Sequence, residues 1–271
     1  MMDNAAKALY WVGSQKDFVD EPDILKHQHM IIGRYGGNSS AGQYKNEDGC
    51  LAWVDPQNDW ELVVLLDAHN TAESAELVLS LFESEKALFD SLLSPSLTSN
   101  TFKMVEQQVL ELLQSQEFLF SCSQVTGETA CLLVVRKGKY VWWFSVGDCV
   151  FYMLHPELAA LSQYQVNQRQ FYEWIGEVNT FEQEIPCYTA GVKELRKGEN
   201  RLFLTTDGLL ECPNEPYADP KNIYDAFLES KPEASIQTMF TKLIENNVRD
   251  STTIISWNVT VAAEATRASN Q

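Results

Sequence analysis

Short apolar runs separated by polar turns dominate the chain and predict β-strands. In the first part of the chain these runs lie at Ala8–Val12, Met30–Gly33, Cys50–Val54 and Leu62–Leu66. They are rich in β-branched and aromatic residues, as is typical of strands. Five further strands are predicted, at 129–135, 140–146, 150–154, 202–206 and 252–259.

Apolar residues at helical spacing predict helices between these strands. The first helix would begin at a capping box, residues 70–73, and continue to about Leu93. A second helix covers Thr101–Gln114, and a third, with a clean amphipathic stripe, covers Ala234–Asn246. Residues 156–175 should form one or two short helices. Blocks of strands separated by blocks of helices indicate an α+β fold with mainly antiparallel sheets.

The size of the chain favours one large domain. It has 271 residues, of which 45% are hydrophobic, enough for a large core. We find no internal repeat and no low-complexity linker. The domain is predicted to cover residues 1–261, and residues 262–271 are expected to form a frayed C-terminal tail.

Charge and cysteine usage narrow the possible partners and location. The net charge is −18, and no basic stripe is present that would suit nucleic acid or an anionic membrane. The six cysteines form no C-x-x-C pair, which favours buried thiols in a reducing cytosol. The first 20 residues do not resemble a signal peptide, and no apolar run approaches the ~20 residues of a membrane helix. We therefore expect a cytoplasmic protein, and a monomer.

Aspartates mark the ends of several predicted strands. Asp67, Asp148 and Asp207 come at or just after strand ends, and Asp250 comes just before the last strand. A carboxylate at such a position is usually a turn residue or a helix cap. Several of them at one edge of a sheet would instead form a cage of oxygen ligands, which Mg²⁺ and Mn²⁺ prefer.

Two further features strengthen the interpretation as a metal site. Glu47 and Asp48 precede the strand at Cys50–Val54, so the acids exceed what turns require. His69 follows Asp67 by two residues and would place a proton donor beside the acids. The pattern thus favours metal-assisted phosphoryl chemistry.

Six short segments, in this order, resemble the motifs of the metal-dependent protein serine/threonine phosphatases of the PPM (type 2C) family. The segments are Asn46-Glu47-Asp48, Asp67-Ala68-His69, Thr126-Gly127-Glu128-Thr129-Ala130, Val146-Gly147-Asp148, Thr205-Thr206-Asp207-Gly208-Leu209 and Arg249-Asp250-Ser251-Thr252-Thr253. Each is weak alone, but together they cover most of the chain.

The resemblance implies a central β-sandwich of two mainly antiparallel sheets, flanked by helices on both sides. It also implies a site for two Mn²⁺ or Mg²⁺ ions, with a phosphorylated protein as substrate. The ligands would be the side chains of Asp48, Asp67, Asp207 and Asp250 and the backbone carbonyl of Ala68.

The resemblance gives supporting roles to other residues. Glu47 would hold a water ligand of the metal, and Asp148 would help to hold a third, weaker metal ion. Hydroxide bridging the two metals would attack phosphorus in line, and His69 would protonate the departing alkoxide.

The chain departs from the family pattern at three places. An arginine that usually precedes the first acidic motif and binds the substrate phosphate is missing, and Lys45 would substitute as a point charge without the bidentate fork. Ala68 replaces a glycine, and Asn70-Thr71 replaces Gly-Gly. After the segment Val146-Gly147-Asp148, Cys149-Val150 replaces Ser-Arg.

Three alternatives remain beside the phosphatase. The first is a pseudophosphatase, which would keep the fold as a binding or regulatory module. The second is a hydrolase of another phosphoester that uses the same acidic cage. The third is a zinc site built on His27 and His29, which is difficult to complete because the chain has four histidines.

Overall fold

The computed structural model describes residues 7–228 and 230–267. Its strands are β1 (Lys7–Val12), β2 (Asp23–His27), β3 (Met30–Tyr35), β4 (Gly49–Asp55), β5 (Trp60–His69), β6 (Glu128–Lys137), β7 (Tyr140–Val146), β8 (Val150–Leu154), β9 (Ile175–Gly176), β10 (Thr189–Glu194), β11 (Gly198–Thr205) and β12 (Thr252–Val261). Its α-helices are α1 (Glu73–Ser84), α2 (Lys86–Leu93), α3 (Thr101–Leu113), α4 (Gln116–Cys122), α5 (Pro156–Ala159), α6 (Pro220–Ala226) and α7 (Pro232–Glu245).

The chain divides into two compact units, and each contains one sheet. The first unit consists of residues up to Gln15, Glu47–Cys149 and Arg169–Val192. Its sheet has the order β1-β4-β5-β6-β7-β10, with β9 beside β6. The second unit consists of Lys16–Asn46, Val150–Gln168 and the residues from Lys193 onward, and its sheet has the order β2-β3-β12-β11-β8.

The predicted fold class is confirmed. The paired strands with a defined register are antiparallel in both sheets, and α-helices accompany each sheet. The protein is therefore an α+β protein with two antiparallel sheets. The limits of the domain, at residues 1 and 261, stay a prediction.

In the first unit, the burial of β5 on both faces explains the unbroken apolar run in its sequence. Leu62, Val64 and Leu66 point to one face of the sheet and belong to a core that also contains Val78 and Phe82 of α1. The alternate residues of β5 on the other face are equally buried. A strand covered on both faces selects apolar residues at every position rather than at every second one.

The helix predicted to continue to about Leu93 is divided into α1 and α2 at Glu85. The rings of Phe82 and Phe89 lie with their centroids 5.6 Å apart, and both are fully buried. In a straight helix, residues seven apart are separated by about 10.5 Å along the axis. The break therefore brings the two aromatic rings into contact with each other in the core.

The predicted capping box before α1 is wrong. Asn70 has a φ of 72°, whereas a capping residue has extended backbone. Glu73 does not return to Asn70, because its Oε2 accepts a hydrogen bond from Thr126 N at 2.8 Å. The Thr71 hydroxyl accepts from Glu73 N at 3.2 Å, so this part of the chain forms a turn that is joined to the segment before β6.

In the second unit, the predicted amphipathic helix is confirmed as α7, which begins two residues earlier than expected. Ile236, Met239 and Phe240 are fully buried against the sheet. Gly33 on β3 allows this packing, since a Cβ there would lie 2.7 Å from the Phe240 ring. The absence of a side chain at Gly33 thus lets α7 approach the sheet closely.

Other differences lie where the pattern is short or polar. Of the short helices expected at 156–175, the structure has α5, and the rest is loop up to β9. The prediction omitted β2, β10, α4 and α6, each of seven residues or fewer. Such elements depend on tertiary contacts more than on periodicity.

The remaining sequence expectations concern thiols, membranes and the tail. Cys187 is partly buried, the other five cysteines are buried, and none of the six is in a disulfide. Among the described residues, no helix combines the length and the apolar character required to cross a membrane. Residues 262–267 form no helix or strand, although Thr266 N donates to Glu194 Oε2 at 3.0 Å. The expected tail at 268–271 lies outside the described residues.

Candidate metal centre

Asp67 is fixed by the end of β5 in the first unit. It pairs in register with Ala130 of β6, and its side chain is 3% exposed. Ala68 follows inside the same strand, opposite Thr129, in extended backbone. The replacement of the family's glycine by Ala68 therefore causes no backbone strain, because the position does not need a left-handed φ.

Asp148 lies beside Asp67 in the same unit. Its carboxylate follows β7 after a turn at Gly147, and carboxylate oxygens of Asp67 and Asp148 lie within 4.8 Å of each other. Both side chains are buried. Two like charges this close disfavour each other in a buried place, and a cation between them removes the repulsion.

Asp148 has one protein cation near it and one oxygen without a partner. Arg169 Nη2 lies 3.4 Å from Asp148 Oδ2, and the neighbouring Gln170 N donates to Gly147 O at 2.9 Å. Asp148 Oδ1 is buried and has no hydrogen-bond partner in the part of the chain that the structure describes. A buried carboxylate oxygen without a donor, next to a second carboxylate, is suited to a hard divalent cation.

The first acidic motif is buried just before β4. Asp48 is fully buried, and its carbonyl accepts a hydrogen bond from Gly13 N at 2.9 Å. Glu47 is 8% exposed. The register of β4 with β5 places Gly49 opposite Leu66, so Asp48 and Asp67 lie at the same end of this strand pair.

His69 is the last residue of β5 and is exposed. The edge of its ring faces Trp174, with the ring centroids 4.9 Å apart and the planes at 66°. This contact orients the imidazole near the end of the strand that also holds Asp67. The sequence did not indicate Trp174, which lies more than 100 residues further along the chain in a loop.

In the second unit, Asp207 follows the end of β11. It begins a short 3₁₀ turn, and its carbonyl accepts from Leu210 N at 2.7 Å and from Glu211 N at 2.9 Å. The side chain is 7% exposed. Gly208 is required here, because a Cβ would lie 2.1 Å from Ser251 O.

Asp250 lies at the same end of this sheet as Asp207. In the antiparallel pair, the end of β11 meets the beginning of β12, and Thr205 pairs with Ile254. Thr253 N donates to the Thr206 hydroxyl at 2.9 Å, which ties the two segments together. Asp250 itself is exposed, and its Oδ1 accepts from Ser251 N at 2.9 Å.

The predicted residues Lys45, His27 and His29 have surroundings that differ from those of the buried acids. Lys45 is exposed in the second unit, in the segment between the short turn at Ser39–Ala41 and β4. His27 ends β2, next to a tight turn that contains His29. Within residues 7–228 and 230–267, no group of three clustered metal-ligating side chains includes either histidine. The zinc alternative thus finds no support among these residues.

No protein-family model matches the sequence, and no curated protein matches it. Solved structures do match. The serine/threonine phosphatase Stp1 from Staphylococcus aureus is 15% identical with a TM-score of 0.61, covering 94% of this chain and 96% of that chain. An arginine-to-alanine variant of a bacterial serine phosphatase is 16% identical with a TM-score of 0.60, covering 94% and 99%.

A third similar structure is RsbX in complex with magnesium. It is 14% identical with a TM-score of 0.53, and the match covers 88% of this chain and all of that chain. At these identities the likeness concerns the fold. From the antiparallel sheets, the order of the motifs and these three structures, the chain has the fold of the PPM-type serine/threonine phosphatases.

Proposed function

We propose that this protein is a cytoplasmic, metal-dependent phosphatase that hydrolyses phosphoserine and phosphothreonine in proteins. The observation that carries the proposal is the buried pair Asp67 and Asp148, whose oxygens lie within 4.8 Å of each other at one end of a sheet. The fold is shared with serine/threonine phosphatases, which supports a role for this pair in the hydrolysis of phosphate esters.

The proposed ligands are the ones that the resemblance to the PPM family implies. They are the side chains of Asp48, Asp67, Asp207 and Asp250 and the carbonyl of Ala68, with Asp148 as ligand of a third, weaker ion. These oxygen donors suit two ions of Mn²⁺ or Mg²⁺. When bound, the ions supply activated water and neutralise phosphate charge.

Other residues would act on substrate and solvent. His69, exposed and oriented by Trp174, would donate a proton to the serine or threonine oxygen that leaves. Lys45, exposed on its segment, would attract the substrate phosphate as a point charge. Glu47, nearly buried beside Asp48, would hydrogen-bond water near the acids.

The test is hydrolysis of a phosphothreonine peptide and of p-nitrophenyl phosphate with Mn²⁺, with EDTA, and by Asp207→Asn. We expect turnover that requires Mn²⁺ and falls about 100-fold or more in Asp207→Asn. Even the loss of a residue that only hydrogen-bonds to a metal ligand reduces metal affinity or activity by roughly 10–100-fold. Asp90→Asn is the matched control, because Asp90 forms a surface pair with Lys86 at 2.8 Å. Its activity should remain unchanged.

Other outcomes lead to the alternatives. Mn²⁺ binding without turnover of either substrate would contradict the proposed phosphatase activity. It would support a pseudophosphatase that serves as a binding module. Turnover of p-nitrophenyl phosphate without any turnover of phosphopeptides would contradict the protein substrate and support a hydrolase of another phosphoester.

A further inference from the structure

A cavity lies in the second unit at the start of β11, far from Asp207. Its volume is about 400 Å³. Arg201 and Asp207 are six residues apart along an extended strand and its following turn, a distance of about 20 Å. A molecule in this cavity would therefore not contact Asp207. The residues that line it and matter here are His155, Lys197, Glu199, Arg201, Tyr224 and Phe227.

Arg201 is a buried cation that lines this cavity. Arg201 is 9% exposed, and its guanidinium carbon lies 4.3 Å from the centre of the Phe227 ring. Its Nη1 atom is buried and donates to no acceptor in the described residues. A buried guanidinium without a full set of acceptors is unfavourable, and an anion that contacts the guanidinium from the cavity would balance its charge.

Other buried arginines of the protein have carboxylate partners. Arg136 is held by Glu61 and Asp59, and Arg34 pairs with Asp23. For Arg201, burial lowers the pKa of the guanidinium, and the more distant carboxylates of Glu199 and Glu233 offset this only in part. Among the described residues, neither Glu199 nor Glu233 forms an ion pair with Arg201.

Apart from the exposed carboxylate of Glu199, the other walls of the cavity are apolar or carry groups that already have partners. Tyr224 packs on Tyr164 with the ring centroids 5.8 Å apart. His155 accepts from Glu157 N through Nδ1 at 3.2 Å, so its Nε2, 3.0 Å from Lys197 O, carries the proton and donates. The ammonium of Lys197 pairs with Glu264 at 2.5 Å. This leaves Arg201 as the cationic anchor beside flat apolar walls.

We propose that this cavity binds a small organic anion, with its carboxylate or phosphate on Arg201 and its planar body against Phe227 and Tyr224. Arginine suits either group, because its planar fork donates two parallel hydrogen bonds to paired oxygens. The cavity is large enough for a molecule of one aromatic ring.

The test is calorimetric titration of the full chain in EDTA with benzoate, with phenylphosphonate and with neutral benzamide. The two anions separate a carboxylate site from a phosphate site, and phenylphosphonate cannot be hydrolysed. We expect saturable binding of at least one anion and about tenfold weaker binding of benzamide. Arg201→Met should weaken the anion about tenfold or more, which is the loss expected for one charged hydrogen bond.

The control is Arg196→Met, because Arg196 pairs with Glu157 outside this cavity. This variant should bind the anions as the wild type does. Amide chemical shifts of the unmodified protein give a second measurement that needs no variant. The largest changes should occur at residues 197–201 and 227–228. Absence of saturable anion binding, unchanged affinity in a folded Arg201→Met variant, or shift changes confined to other residues would overturn the proposal.

Discussion

At the residue scale, the ends of strands position the acids of the candidate site. Asp67, Asp148 and Asp207 follow apolar runs, and a strand end positions the residue after it in a way that a sequence shows directly. Arg169 and Trp174 reach Asp148 and His69 from a loop that has no periodicity. Their positions depend on tertiary contacts, which local pattern does not encode.

Gly147 is a residue whose loss should destabilise the first unit. It has a φ of 84°, and a Cβ there would lie 2.5 Å from Ala130 Cβ. Gly147→Ala combines left-handed strain with overpacking, so the free energy of unfolding should fall by about 3 kcal/mol. Urea unfolding in EDTA measures this without a contribution from metal.

Gly138→Ala is the matched control for that variant. Gly138 also has a positive φ, 58°, but no atom lies within 4 Å of a Cβ built there. Strain alone should cost about 1 kcal/mol. Equal losses in the two variants would show that contact with Ala130 does not explain the need for Gly147.

At the element scale, periodicity identified the long helices and strands but not their ends. The stripe of α7 was clear because four of its apolar residues face one core. The break between α1 and α2 was not predicted, because it results from the packing of Phe82 on Phe89 rather than from a glycine or a proline. The box at residues 70–73 was misleading because Asn70 takes a left-handed conformation.

The helix α4, which the sequence did not indicate, supplies a test of capping. The hydroxyl of Ser115 accepts a hydrogen bond from Phe118 N at 3.2 Å and satisfies one of the first amides of the helix. Ser115→Ala should lower the free energy of unfolding by about 1 kcal/mol. Thermal or urea unfolding measures this change.

Asn100 provides the comparison, because it precedes α3 without any hydrogen bond from its side chain to the helix. Asn100→Ala should change the free energy of unfolding by less than about 0.5 kcal/mol. If Asn100→Ala were as damaging as Ser115→Ala, the cap at Ser115 would not be the cause.

At the scale of the whole molecule, the class of fold followed from the alternation of strands and helices, whereas the strand order did not. β4, β5, β6 and β7 are neighbours in the sheet as in the sequence. By contrast, β3 pairs with β12, which lies more than 200 residues further along the chain. Nothing local in either strand specifies that partner, so only the antiparallel class could be anticipated.

We propose that Asp48 and Asp67, which lie at the same end of the strand pair β4 and β5 in the first unit, belong to one metal centre. The net charge of −18 agrees with acids that need a cation, but it does not locate them. Residues that ligate the same ion act together, so their substitutions should not be additive. Asp48 and Asp67, from neighbouring strands of the first unit, allow this to be examined directly.

The most direct measurement is calorimetric Mn²⁺ titration of the wild type, Asp48→Asn, Asp67→Asn and the double variant, with Asp90→Asn as control. Each single variant should lose about tenfold or more in affinity, and the double variant should lose much less than the product of the two losses. Additive losses, or Asp67→Asn binding Mn²⁺ as tightly as the wild type, would contradict a metal centre that contains both residues.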